Sequence, residues 1–161
     1  MNATKFIILL FGIILLCSIN SCSSSAMLPG TNRTITGAMA NKKLKPPTGK
    51  SLVYILRSSN KGFAAKLGVE IDGKEIGRNG GKQFVYTFAE PGKHIFLGLG
   101  ENFFELPIIL KAGETYYIEQ KLKAGLWRPR NKLVRIDNDT GKRRLLKCRL
   151  SADNATLEGF K

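Results

Sequence analysis

Few side chains in this 161-residue sequence are suited to covalent or acid–base chemistry: there is one His, three Cys, and no pair of His at metal-binding spacing. His94 is the lone imidazole and has no Cys beside it in sequence, so a structural role is expected over a metal ligand or general base. Cys148 falls in step with Leu146 and Leu150, which predicts a buried, inert thiol. Gly98-Leu99-Gly100 puts Phe103 where the third glycine of a phosphate-binding loop would stand, with no strand-to-helix context, and is set aside. The sequons at Asn32, Asn138 and Asn154 are expected by chance. These residues build no catalytic centre, no metal site and no cofactor site, and a non-enzymatic protein is expected.

The N-terminus carries the clearest chemistry. Lys5 precedes an apolar run from Phe6 to Cys17, in the order of a secretory signal peptide. As a helix those residues span roughly 18 Å, short of the ~30 Å hydrocarbon core. Ile19-Asn20-Ser21-Cys22 then resembles a bacterial lipobox: an aliphatic residue, a tolerant position, a small residue and Cys. That resemblance implies cleavage before Cys22, a thioether-linked diacylglycerol on its sulfur, and acylation of the new amine. Each buried methylene contributes about 0.8 kcal/mol, so several chains hold where one is marginal. Ser23 in place of Asp resembles the pattern that sorts such proteins to the outer membrane, facing the periplasm. Cleavage after Ala26, at Ser24-Ser25-Ala26, is the alternative and gives a soluble periplasmic or secreted protein. Cys17 lies inside the apolar run behind Leu16. Removing Cys17 and acylating Cys22 leaves Cys148 with no disulfide partner.

Charge is the other candidate. Lys and Arg number 26 against 12 Asp and Glu, a formal +14, while 43% hydrophobic content excludes a wholly disordered chain. Lys111 to Arg149 holds 12 basic and 4 acidic residues, whereas Lys50 to Leu110 holds 8 and 6. Arg128, Arg130, Arg143 and Arg144, with Trp127 to add stacking or cation–π contact, are the candidate anion-binding residues. A merely solvated basic surface is the competing reading. In an envelope the available partners are anionic lipid, lipopolysaccharide and acidic proteins; compartment argues against nucleic acid.

These residues need a scaffold. Residues 22–49 are Ser-, Thr-, Asn- and Pro-containing, with Arg33, Lys42, Lys43 and Lys45 and no acid; they read as a flexible, lipid-anchored tether with a reach of about 30 Å. Leu52 to Leu56 is a continuous apolar run fit for a central strand. Leu67, Val69 and Ile71 lead into an Asp72-Gly73 hairpin turn that sets Val69 opposite Ile76. Phe84, Tyr86 and Phe88 share a face, Pro91-Gly92 turns the chain, and Pro107 suggests an edge or bulge. Tyr116, Ile118 and Leu122 mark a half-buried strand. Asn138 to Gly141 reads as a turn before a last strand from Arg143 to Leu150. Eight or nine short strands without convincing helical period predict an all-β fold over residues 50–150, a single antiparallel β-sandwich, with residues 151–161 as a frayed tail.

Val53-Tyr-Ile-Leu-Arg57, Val69 to Gly77, Glu90-Pro-Gly-Lys-His94 and Lys111 to Ile118, in that order, resemble the domain of unknown function 2846 family. The resemblance implies exported, mostly lipidated bacterial proteins whose core is similar to PEGA-like, immunoglobulin-like β-sandwiches. It covers about Ser51 to Leu150, implies no catalytic residues, and does not account for the basic character of the C-terminal third. Together these readings predict residues 1–21 as a lipoprotein signal peptide and the mature chain as an envelope binding or assembly module. A soluble β-domain protein and an enzyme inhibitor are the alternatives.

Overall fold

A computed structural model describes residues 42–154. Within them the order is β1 (Ser51–Arg57), β2 (Leu67–Ile71), β3 (Lys74–Asn79), β4 (Gln83–Ala89), β5 (Gly92–Leu99), β6 (Phe103–Leu110), β7 (Thr115–Lys123), β8 (Arg130–Ile136), α1 (Asn138–Leu146) and β9 (Arg149–Leu150). They build a five-stranded sheet, β8-β7-β1-β4-β9, packed on a four-stranded sheet, β3-β2-β5-β6. The all-β sandwich expected from the turn spacing is the fold. It is not antiparallel throughout, because β1 runs parallel to β7, and β4 to β9.

The unbroken apolar run of β1 has its reason in a core on each face. Val53 and Ile55 point between the sheets, among Val85, Phe96, Ile108 and Ile118. Leu52, Tyr54 and Leu56 point the other way, into a second cluster with Phe84, Tyr86, Tyr117, Leu145 and Cys148. All seven β1 residues are buried. The rings of Tyr54 and Tyr117 stack at 5.5 Å, and Phe84 meets Tyr54 edge-on at 5.9 Å. β7 is therefore covered on both faces, not half-buried: Tyr116 and Ile118 face the first core while Tyr117 enters the second.

The second cluster is closed by a helix that the sequence conceals. Residues 138–146 are not a turn and the start of a strand; only Arg149–Leu150 remains as β9. Asp137 caps α1 by accepting the Thr140 N–H at 2.8 Å, Asp139 lies in the first turn, and Arg143 and Arg144 lie in the last. Its buried residues are Gly141 and Leu145, a single i, i+4 step, too short a period to stand out.

Three further expectations change. A bulge between Val69 and Glu70 pairs Val69 with Gly77, so Val69 does not face Ile76. The Asp72-Gly73 turn itself forms as expected, both residues in the left-handed region. The start of the expected tail is packed: Ser151 and Asn154 are buried, and Asn154 bridges to Gly77. The end of the expected tether is packed too, with Leu44 against the second cluster and Lys42 Nζ donating to the Leu146 carbonyl at 3.1 Å. Gly98 and Gly100 leave room for a neighbour, since a Cβ on Gly98 would stand 2.0 Å from Asn131 Oδ1 and one on Gly100 2.8 Å from the Pro129 carbonyl oxygen. Pro107 lies on β6, an edge strand.

Candidate functional site

Docking of residues 42–45 beside α1 and the start of β7 creates an open groove of about 890 Å³. Lys42, Lys43, Lys45, Arg135 and Lys142 line it, with Glu114 as its single carboxylate; Leu44, Tyr117, Leu145 and Leu146 supply apolar walls. A concave surface combining several cations with apolar side chains suits an anion that carries an apolar part. Sequence reading noted Lys42, Lys43 and Lys45 as tether charges but missed this site. Its second wall is the helix, and no local pattern places residues 42–45 next to Lys142.

The five candidate anion-binding residues fall in two stretches of chain. Trp127 and Arg128 belong to the loop between β7 and β8 and Arg130 opens β8 directly after it, while Arg143 and Arg144 lie on α1. Arg144 is engaged, its Nη1 2.7 Å from Glu119 Oε2, a carboxylate 5% exposed that also accepts from the Ser58 amide and hydroxyl. Arg143 donates to Thr140 Oγ1 at 3.0 Å.

The β7–β8 loop is organised by Glu101, across from it in the β5–β6 turn. Its carboxylate accepts the successive backbone N–H groups of Leu126, Trp127 and Arg128 at 3.1, 2.7 and 3.0 Å, and Arg130 Nε lies 3.5 Å away. The Arg128, Trp127 and Leu126 amides, in that order, pull the Glu101 carboxyl down to about 2. Gly125 is required there, because a Cβ would stand 1.9 Å from the Arg128 carbonyl oxygen. This scaffold holds Leu126 and Trp127 outward, 83% and 89% exposed.

His94 sits in a structural bracket. Its Nδ1 is 2.6 Å from Asp72 Oδ2 and its Nε2 2.8 Å from the Glu90 carbonyl oxygen, so both ring nitrogens are occupied. Burial pulls the imidazole down, but the Asp72 and Glu90 bonds outweigh it and raise its pKa. Cys148 is buried, and desolvation pushes its thiol up to about 11, well away from a reactive thiolate. Among the described residues no group of three His, Cys, Asp or Glu side chains is arranged to hold a metal, and no helix is long and apolar enough to cross a membrane. Cys22 lies outside the described residues.

A family model described as "Protein of unknown function (DUF2846)" matches residues 47–132, from just before β1 into β8. An "Uncharacterized protein" of Haemophilus influenzae is 29% identical over 110 residues, covering 68% of this chain and 66% of the relative. The chain thus spans just under two thirds of that relative's length. No solved structure matches. The matched range includes the Trp127 loop and stops short of α1, and with it one wall of the groove.

Proposed function

The chain belongs to the DUF2846 family, and we propose that it is a lipid-anchored protein of the bacterial cell envelope whose β-sandwich is a non-enzymatic binding module for an anionic envelope component. In this reading Cys22 carries the acyl chains, residues 23–41 leash the domain to the outer membrane, and the domain faces the periplasm. The observation that carries the binding role is the groove: five cations from three separated stretches of chain converge over an apolar floor beside one carboxylate. Like charges brought together in a fold repel one another, and an anionic ligand relieves that cost. A phosphorylated amphiphile such as lipopolysaccharide fits both halves of the lining.

Two measurements test the two parts. Cells labelled with a fatty-acid analogue should yield a labelled band that Cys22→Ala abolishes; a native N-terminus at Met27 would instead establish the soluble form. Lipopolysaccharide should protect the full chain against denaturation, and Lys43→Glu with Lys142→Glu should remove that protection while leaving the unliganded stability near its starting value. Protection that survives this double reversal would overturn the groove as the binding site.

A further inference from the structure

We propose that the loop end of the sandwich bearing Leu126 and Trp127 docks into the headgroup region of an anionic lipid bilayer. The reading goes beyond the groove, which lies elsewhere and contributes none of the residues involved.

The geometry is that of a built tip. β1 ends, β2 begins, β5 turns into β6 and β7 passes to β8 all at this end. Single exposed apolar side chains are ordinary on a protein surface. Here two large ones are adjacent, and Glu101 fixes their loop through three backbone N–H bonds. Phe63, 70% exposed, adds a third from the β1–β2 loop. That loop abuts the end of β7, since a Cβ on Gly62 would stand 2.9 Å from Leu122 Cδ2, and its Phe63 carbonyl accepts the Gly81 N–H. A pre-fixed loop loses little conformational freedom on docking.

Charge identifies the surface this tip fits. From Gln120 to Val134 the chain carries Lys121, Lys123, Arg128, Arg130 and Lys132 and no acid. The nearby Glu101 carboxylate is already taken up by backbone amides and Arg130. Trp is favoured at the bilayer interface, Leu and Phe just beneath it, and Lys and Arg beside anionic headgroups. An acidic protein would satisfy the cations but has no general need of Trp and Leu held fully in water. A bilayer interface takes both.

Trp127 is the sole tryptophan of the chain, so its emission reports this tip alone. The full chain is reconstituted in vesicles of phosphatidylcholine, or of phosphatidylcholine and phosphatidylglycerol in equal parts. In the anionic vesicles Trp127 emission should shift to the blue and be quenched by lipids brominated on their acyl chains, and added salt should weaken both effects. Arg128→Gln or Arg130→Gln should each lower the docked-to-free ratio about fivefold, and Leu126→Ser should lower it while the fold, followed by circular dichroism, is kept. Lys43→Glu with Lys142→Glu should leave the shift in place, which separates this proposal from the groove. Emission that stays that of a water-exposed indole in anionic vesicles would overturn it. So would an equal shift in both vesicle types, or a shift that grows with protein concentration without lipid, which would assign the tip to a second copy of the chain.

Discussion

Gly141 of α1 packs against the base of the Tyr117 ring, so closely that a Cβ at this position would stand 2.2 Å from Tyr117 Cγ. That approach seats the helix on the second core, with Leu145 one turn later completing the contact. Alanine is the better helix former by about 1 kcal/mol, yet here its methyl must displace a ring that is itself stacked on Tyr54. Gly141→Ala is therefore expected to destabilise the domain by about 1–3 kcal/mol, read as a lower denaturant midpoint with an unchanged slope. A stabilised variant would mean that the helix does not bear on Tyr117.

The same contact explains which parts of the fold could be read from sequence. The strands were legible where alternation or an apolar run met a turn signal, as at Leu52–Leu56 and Asp72-Gly73, because those signals are local. The helix was not, since Gly141 reads as a turn residue until Tyr117 is known to need the space. The groove was hidden for a related reason: Lys42, Lys43 and Lys45 look like solvated tether charges, and only long-range packing of Leu44 brings them to α1. Trp127, Arg128 and Arg130 were singled out by composition. The role of Glu101 was not, because nothing in sequence announces a carboxylate that meets amides 25 to 27 residues away.

Arg57 is fully buried at the end of β1 and meets carbonyls instead of a carboxylate. Its guanidinium donates to Lys61, Gly62 and Ala65 in the β1–β2 loop at 2.6, 2.7 and 2.5 Å, and to Asn79 at 3.3 Å. Desolvation lowers its pKa without removing the charge. Arg57→Met keeps the buried stem but orphans these acceptors, and a loss of about 3 kcal/mol is expected, with new protease cleavage in residues 58–66. Arg57→Lys should behave almost as badly, since one ammonium cannot reproduce the planar fork. Full stability in either variant would contradict this role.

The His94–Asp72 pair gives stability a pH dependence of known sign. Burial opposes the His94 charge, but the Asp72 and Glu90 bonds raise its pKa above the usual value, so its contribution is full below the ordinary histidine range and fades as pH rises through the raised value. Asp72 is pulled below its usual range, first by the Ile95 N–H and then by His94, so its contribution is present above the ordinary aspartate range and fades as acid protonates it. The pair is therefore strongest between about pH 4 and 6.5. With Asp72 half exposed, solvent screening keeps the contribution to about 0.5–1 kcal/mol. Urea midpoints at about pH 5.5 and 8.5 should differ in the native chain and converge in Asp72→Asn; an unchanged difference would place the dependence elsewhere.

Glu101→Gln should unfasten the β7–β8 loop and leave the sandwich folded. A neutral amide keeps one oxygen for three N–H donors and loses the attraction of Arg130. Amide exchange at Leu126, Trp127 and Arg128 should accelerate while the strand amides stay protected. In the native chain the same loosening should come only in acid, because the carboxyl is held at about 2: its contribution is complete above the ordinary glutamate range and is lost as pH falls through that value. Exchange indifferent to the substitution would show that Gly125 and Pro129 alone set the loop.

Arg143 and Arg144 are neighbours on α1 with opposite tolerance for charge reversal. Arg144 partners Glu119, whose carboxylate is nearly buried and already accepts twice from Ser58. Arg144→Glu would set a second carboxylate against the nearly buried Glu119 from a position that is itself 40% exposed, and with that partial screening a loss of about 1–3 kcal/mol is expected. Arg143 makes only an exposed bond to Thr140, so Arg143→Glu should cost under about 1 kcal/mol, mostly from placing negative charge at a helix C-terminus. Thermal melts of the two single variants check this directly, and equal losses would mean the Glu119 pair is not formed. The distinction also governs any test of the basic surface: weakened anion binding after reversing both arginines together would report unfolding as readily as lost charge. Arg143 alone, with Arg128 on the loop and Arg130 at the start of β8, changes the field while the fold stands.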